Sequence, residues 1–162
     1  MARALFSLIC VAVLAATAPA SAASGPGPQW ATLNECDSAG QPNVMGARAS
    51  LPGDGSSAQM FVRFTAQWFD ESQQAWLSVD GAATSPWLSA GSARHRSRQA
   101  GWNFSFEPPA PGRSFQLRAL AELQWRSAGS VVRSTSLVTS AGMAAVMEGD
   151  PVGTSLASCT IS

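Results

Sequence analysis

A chain of 162 residues with ten arginines, no lysine and ten acidic residues has a formal net charge of zero. That balance excludes a general electrostatic field for nucleic acid or for an anionic membrane surface. One histidine and no tyrosine leave few groups able to exchange protons, which counts against an enzyme.

Met1 to Ala22 reads as a secretory leader. Arg3 supplies the positive start, Leu5 to Ala16 the apolar stretch, and Ala20-Ser21-Ala22 the small-residue cleavage pattern. Cys10 fits that stretch as a small hydrophobe, because bulky Ile9 stands where a lipid-anchored cysteine needs a small neighbour. No later segment approaches the about 20 apolar residues of a spanning helix, so no transmembrane segment is expected. The division is 1–22 signal peptide, 23–29 flexible Gly/Pro leader and 30–162 a single domain, in a secreted, extracellular protein.

The roughly 140 residues that remain are enough for one domain with its own core. Once the leader is gone, Cys36 and Cys159 are the only thiols. In an oxidising compartment two lone thiols pair, and no second Cys or His lies near either to make a metal site. An end-to-end disulfide is the expectation, with no metal and no cofactor.

Trp30 to Cys36 is a short apolar-rich segment, with Trp30 expected to cover the end of the domain near the disulfide. Ala47, Ala49 and Leu51 alternate with Arg48 and Ser50 and read as an edge strand, broken by the turn Pro52-Gly53-Asp54-Gly55-Ser56. Met60, Val62, Phe64, Ala66 and Trp68 then share one face of an extended chain, with Arg63, Thr65 and Gln67 on the other and Phe61 and Phe69 as exceptions. Side chains alternate strictly along a strand, so this is a half-buried strand with Trp68 in the core.

Shorter candidates follow at Ala75 to Val79, Pro86 to Ser89 and Trp102 to Phe106. Phe115, Leu117, Ala119, Ala121, Leu123 and Trp125 form the inward set of a second long strand; a period of two along the whole segment argues against a helix. Arg126 to Ser130 is a hairpin loop into Val131 to Thr139. About seven short strands between Gly, Pro and Ser turns predict an all-β, antiparallel two-sheet sandwich.

The stretch from Trp102 to Thr139 resembles the last three strands of an immunoglobulin-like or fibronectin III-like domain. Its carriers are Trp102-x-Phe104-x-Phe106, the Pro108-Pro109-x-Pro111-Gly112 crossover, the long strand to Trp125 and its hairpin partner. The resemblance covers roughly a quarter of the chain, which in this is similar to the loose group of uncharacterised exported bacterial proteins with such domains. It implies architecture and no activity. Two departures stand out: no tyrosine for the usual corner, and cysteines at the chain ends rather than on facing core strands.

His95 lies between arginines and reads as an exposed loop residue, since no G-x-S-x-G turn accompanies it. Glu107, Glu122 and Asp70-Glu71 read as solvated carboxylates without a partner at sequence level. Arg94, Arg96 and Arg98 would point the same way in an extended segment, presenting three guanidinium forks to sulfate, phosphate or carboxylate. Trp102 and Trp87 are the nearest candidate stacking surfaces, while Trp76, Trp87 and Trp102 are open between core and surface.

These residues suggest a non-catalytic binding protein at or outside the cell surface, its ligand an anionic glycan or cell-wall polymer. Another surface protein is the alternative partner. A structural or accessory module without a ligand is the second reading, and a carboxylate-based hydrolase the third. A β-sandwich carries its specificity in the loops at its ends, so sites are sought there.

Overall fold

The computed structural model describes residues 27–81, 83–143 and 149–162; the leader 1–22, with Cys10, lies outside them. The described residues form nine strands and no helix. In chain order these are β1 (Trp30–Cys36), β2 (Val44–Pro52), β3 (Gln59–Asp70), β4 (Ala75–Ser78), β5 (Leu88–Ser92), β6 (Ser97–Ser105), β7 (Phe115–Ser127), β8 (Ser130–Val138) and β9 (Cys159–Ile161). Every strand pair is antiparallel.

Two sheets result, as the alternation requires. The smaller has the order β1-β2-β6. The larger is built on the long central pair β3 and β7, in the order β4-β3-β7-β8. Each central strand carries two short partners in succession along its outer edge. β5 pairs residues 59–62 of β3 and β4 pairs 67–70, while β8 pairs 120–127 of β7 and β9 pairs 115–117. The alternation of Ala47, Ala49 and Leu51 belongs to β2, which is the middle strand of its sheet and not an edge.

The core is the inward set of β3 and β7 packed on that of the smaller sheet. Register places Met60 beside Trp125, Val62 beside Leu123, Phe64 beside Ala121 and Ala66 beside Ala119, so the pair narrows from two large side chains at one end to two alanines at the other. Leu33, Met45, Leu51 and Phe104 close over them from the other layer. The disulfide forms as expected: Cys36 at the end of β1 is joined to Cys159 of β9, linking the two sheets. Trp30 is buried, but it starts β1 and so sits at the opposite end of that strand from Cys36. Six residue steps of extended chain, about 20 Å, separate them.

Both outer edges on this side are managed. The C-terminal segment lies along β1, where Leu33 and Leu156 exchange backbone hydrogen bonds of 2.9 Å and Asp150 N–H donates to the Asn34 carbonyl. On β8 the register slips between Trp125 and Arg126, and Val132 is the extra, bulged residue. Arg133 then points inward, its guanidinium 3.4 Å from the Trp125 ring centroid. A bulge and an inward charge both discourage a further strand from pairing there.

Ala128 and Gly129 form the two-residue turn between β7 and β8, with φ of +49° and +81°. Left-handed backbone suits glycine and asparagine, while alanine pays a Cβ clash there. Ala128→Asn is expected to raise stability by roughly 0.5–1 kcal/mol. Its urea midpoint should exceed that of the parent; an equal or lower one would contradict this account of the turn.

Candidate binding site at the open end of the sandwich

The larger sheet extends beyond the cover of the smaller one at the end where β3 turns into β4. Trp68 shows this directly. It shares the inward register of Phe64 and Ala66 and lies beside Leu117, yet it is 37% exposed. Its expected place in the core is therefore corrected: the face is inward, but no layer covers it there. Phe115, at the start of β7, is likewise inward in pattern and 40% exposed.

Trp68, Val79, Phe106, Phe115 and Leu117 line an almost wholly apolar crevice of about 270 Å³. Val79 and Phe106 also line a second crevice of about 340 Å³, which reaches Trp102, Asp80 and Glu107. Trp68 and Phe115 in turn border a more polar cleft of about 620 Å³ containing Asp70, Glu71, Arg113, Gln116 and Thr160. Shared walls set the three spaces side by side, and together they make a groove region with aromatic walls and a polar rim.

The polar rim is built by the turn after β3. Asp70 Oδ1 accepts from the backbone N–H groups of Ser72 and Gln73 and from the Ser72 hydroxyl, at 2.8, 3.2 and 2.6 Å. Its Oδ2 accepts from the Gln73 carboxamide at 2.8 Å. These bonds, the Ser72 hydroxyl foremost, hold its carboxyl below the usual carboxylate range. Asp70 is thus occupied in shaping the turn, and Glu71 beside it is the exposed carboxylate of the cleft.

The residues singled out from the sequence fall in several places. Trp102 belongs to this groove; it lies opposite Ala47, on the inward register at the open edge of β6, and is 36% exposed. Arg94, His95 and Arg96 are exposed in the turn between β5 and β6 rather than in an extended run, so the three arginines do not share one strand face. That turn is clamped: the Arg96 carbonyl accepts from Gly53 and Gly27 N–H at 2.9 and 3.1 Å. A Cβ on Gly53 would lie 1.7 Å from the His95 carbonyl oxygen, so only glycine fits this approach. Arg98 alone is in β6, opposite Leu51, and reaches toward Gly91 of β5. The turn adjoins the Gln59–Ser92 end of β3, about 30 Å along the strand from Trp68. Trp87 is on the outward face of the larger sheet, beneath the guanidinium groups of Arg63 and Arg126.

The carboxylates are also placed. Glu122 pairs with Arg63 at 2.7 Å across the β3–β7 register. Glu35, buried, and Asp150 both lie against the Ser38 hydroxyl, at 3.2 and 2.8 Å, and the Asn103 carboxamide donates to Glu35 at 3.4 Å. Sequence reasoning missed this pair because their separation of over a hundred residues hides it. Among the described residues, no group of three or more His, Cys, Asp and Glu could hold a metal ion. No described helix is long and apolar enough to cross a membrane. In comparison with known proteins, no family model matches this chain and no curated protein matches it.

Proposed function

We propose that this protein acts outside the cytoplasm as a non-catalytic binding module of immunoglobulin-like architecture, and that it holds a carbohydrate chain of the cell surface or wall in the groove at the sandwich end. The observation that carries this reading is the exposure of Trp68, Phe115 and Trp102 around adjoining crevices, although all three have inward register. Large rings held open to water gain stability when a flat apolar surface covers them, and the C–H face of a sugar ring is such a surface. Glu71, Arg113, Gln116 and Thr160 at the rim offer donors and acceptors for its hydroxyl groups.

The disulfide supports an oxidising compartment. The strand orders β1-β2-β6 and β3-β7-β8 support the resemblance, since strands A, B, E and C, F, G of immunoglobulin-like domains pair in those orders. β5 departs from it by pairing β3 rather than β6. The accessory-module reading gains some support from Val131, Val132 and Val138, exposed on β8, and loses it to the bulge and Arg133 on that same edge.

Pull-down on immobilised cellulose, xylan, dextran and peptidoglycan tests the proposal. Retention on at least one is expected, and Trp68→Ala should weaken it at least tenfold, about 1.4 kcal/mol. Failure to bind any of the four, or binding indifferent to both Trp68→Ala and Phe115→Ala, would remove the groove as the site.

A further inference from the structure

The outward face of the larger sheet carries a second feature that the groove does not use. Phe61, Arg63, Gln67 and Phe69 of β3 share this face with Arg118, Glu122, Gln124 and Arg126 of β7, Trp76 of β4, and Trp87 just before β5. Aromatic rings and guanidinium groups alternate along it. Arg126 lies over both Phe61 and Trp87, at 4.4 and 4.7 Å, and Arg63 also lies over Trp87, at 4.7 Å. Farther along, Arg118 lies 4.4 Å over Trp76, whose ring is 5.3 Å from that of Phe69.

The three arginines are not equivalent. Arg63 gives its Nε and Nη2 to the Glu122 carboxylate, at 2.8 and 2.7 Å, so its charge is answered within the sheet. Arg118 and Arg126 are oriented by carboxamides instead: Arg118 Nε donates to Gln67 Oε1 at 2.8 Å, and Arg126 Nε and Nη2 to Gln124 Oε1 at 2.9 and 2.7 Å. A carboxamide and a ring hold a guanidinium in place without cancelling its charge. Of the five N–H donors of each, most are left to face a ligand. Glu122 is the sole acid in the outward register of β3 and β7, against three arginines, so the face is cationic on a chain with no net charge. Eight residues separate Arg118 from Arg126, about 26 Å of flat strand.

We infer that this face binds an extended acidic polysaccharide, its sulfate or carboxylate groups taken by Arg118 and Arg126, whose guanidinium groups Trp76 and Trp87 hold in place. Charge complementarity selects an anion. Guanidinium forks already immobilised by stacking lose little side-chain entropy on binding. Two cationic positions about 26 Å apart along one strand suit an extended polymer, while the neutral chain offers no long-range field of the kind nucleic acid binders use.

The test uses the full mature protein on dextran sulfate and polygalacturonate columns, with uncharged dextran and double-stranded DNA as comparison arms. Retention on a polyanionic polysaccharide that falls with salt is expected, with none on DNA and with any retention on dextran indifferent to salt. Gln67→Glu combined with Gln124→Glu is the informative variant. It keeps the shape and the hydrogen bonds to Arg118 and Arg126 and places a carboxylate against each. Affinity should fall at least tenfold with the unfolding temperature unchanged or raised, whereas Arg94→Gln with Arg96→Gln should leave it intact. No retention of the parent protein, retention unaffected by the double glutamate variant, loss through the Arg94 and Arg96 changes, or preference for DNA would each overturn the assignment. Trp68→Ala leaves this face untouched, so the groove and the face can fail separately.

Discussion

Trp125→Ala is expected to destabilise the protein by about 3–5 kcal/mol, the range for truncating a fully buried aromatic ring. The ring is 0% exposed and fills the core beside Met60. Its loss also breaks two specific contacts. The indole N–H donates to the Pro52 carbonyl at 3.1 Å, tying β7 of the larger sheet to the end of β2 in the smaller. The Arg133 guanidinium rests on the ring and donates to the same carbonyl at 3.3 Å, so truncation leaves an inward-pointing cation without its support. Domains of this size have only about 5–15 kcal/mol in total, so the variant should be close to its unfolding threshold. Trp125→Phe separates the effects, because it retains most of the volume and removes the N–H. Its cost should be nearer 1–2 kcal/mol. Urea unfolding measures both; a loss below 1 kcal/mol for the alanine variant would mean that the core closes without this ring.

Opening the disulfide should have an effect of similar size. Cys36 and Cys159 are 123 residues apart in sequence, so the bond removes a large share of the unfolded chain's freedom. The chain-entropy relation gives about 4–5 kcal/mol, with about 2–5 the usual measured cost of losing a native bridge. The structural consequence is local as well as global. β9 has only three residues, and its pairing with Phe115 to Leu117 depends on the bridge to hold it in register. Ile161, fully buried, goes with it. Since Phe115 and Leu117 line the apolar crevice, a Cys36→Ser, Cys159→Ser protein should lose the carbohydrate retention proposed for it along with stability. Amide exchange at Thr160 and Ile161 should accelerate more than exchange in the centre of β3. Uniform acceleration through both strands would show that the bridge acts on the unfolded state alone.

The regularity of the long strands made them readable before any coordinates. Two-residue alternation states which face each side chain takes, and for Met60 to Ala66 and Leu117 to Trp125 that face is the buried one. The bridge was equally legible, because the two thiols outside the expected leader have a single pairing available. Phe61 and Phe69 were visible as aromatic rings on a polar face, and they mark both ends of the stacked row. What was absent from the pattern was the company they keep. Arg126 meets Phe61 only through the β3–β7 register, and Trp87 joins them only because β5 folds back on β3.

Trp68 and the arginines at 94, 96 and 98 show the same division from the other direction. Alternation correctly gives Trp68 an inward face, but burial depends on whether the opposite sheet reaches that far, and its three strands do not. An extended run would have aligned the three guanidinium groups, and the backbone contact of Gly53 with the 93–96 turn bends them apart. Side-chain direction and thiol pairing are local or combinatorial properties, so they follow from the order of residues alone. Strand partners, sheet width and the exposure of an inward face arise from contacts between distant segments, and only the folded chain decides them.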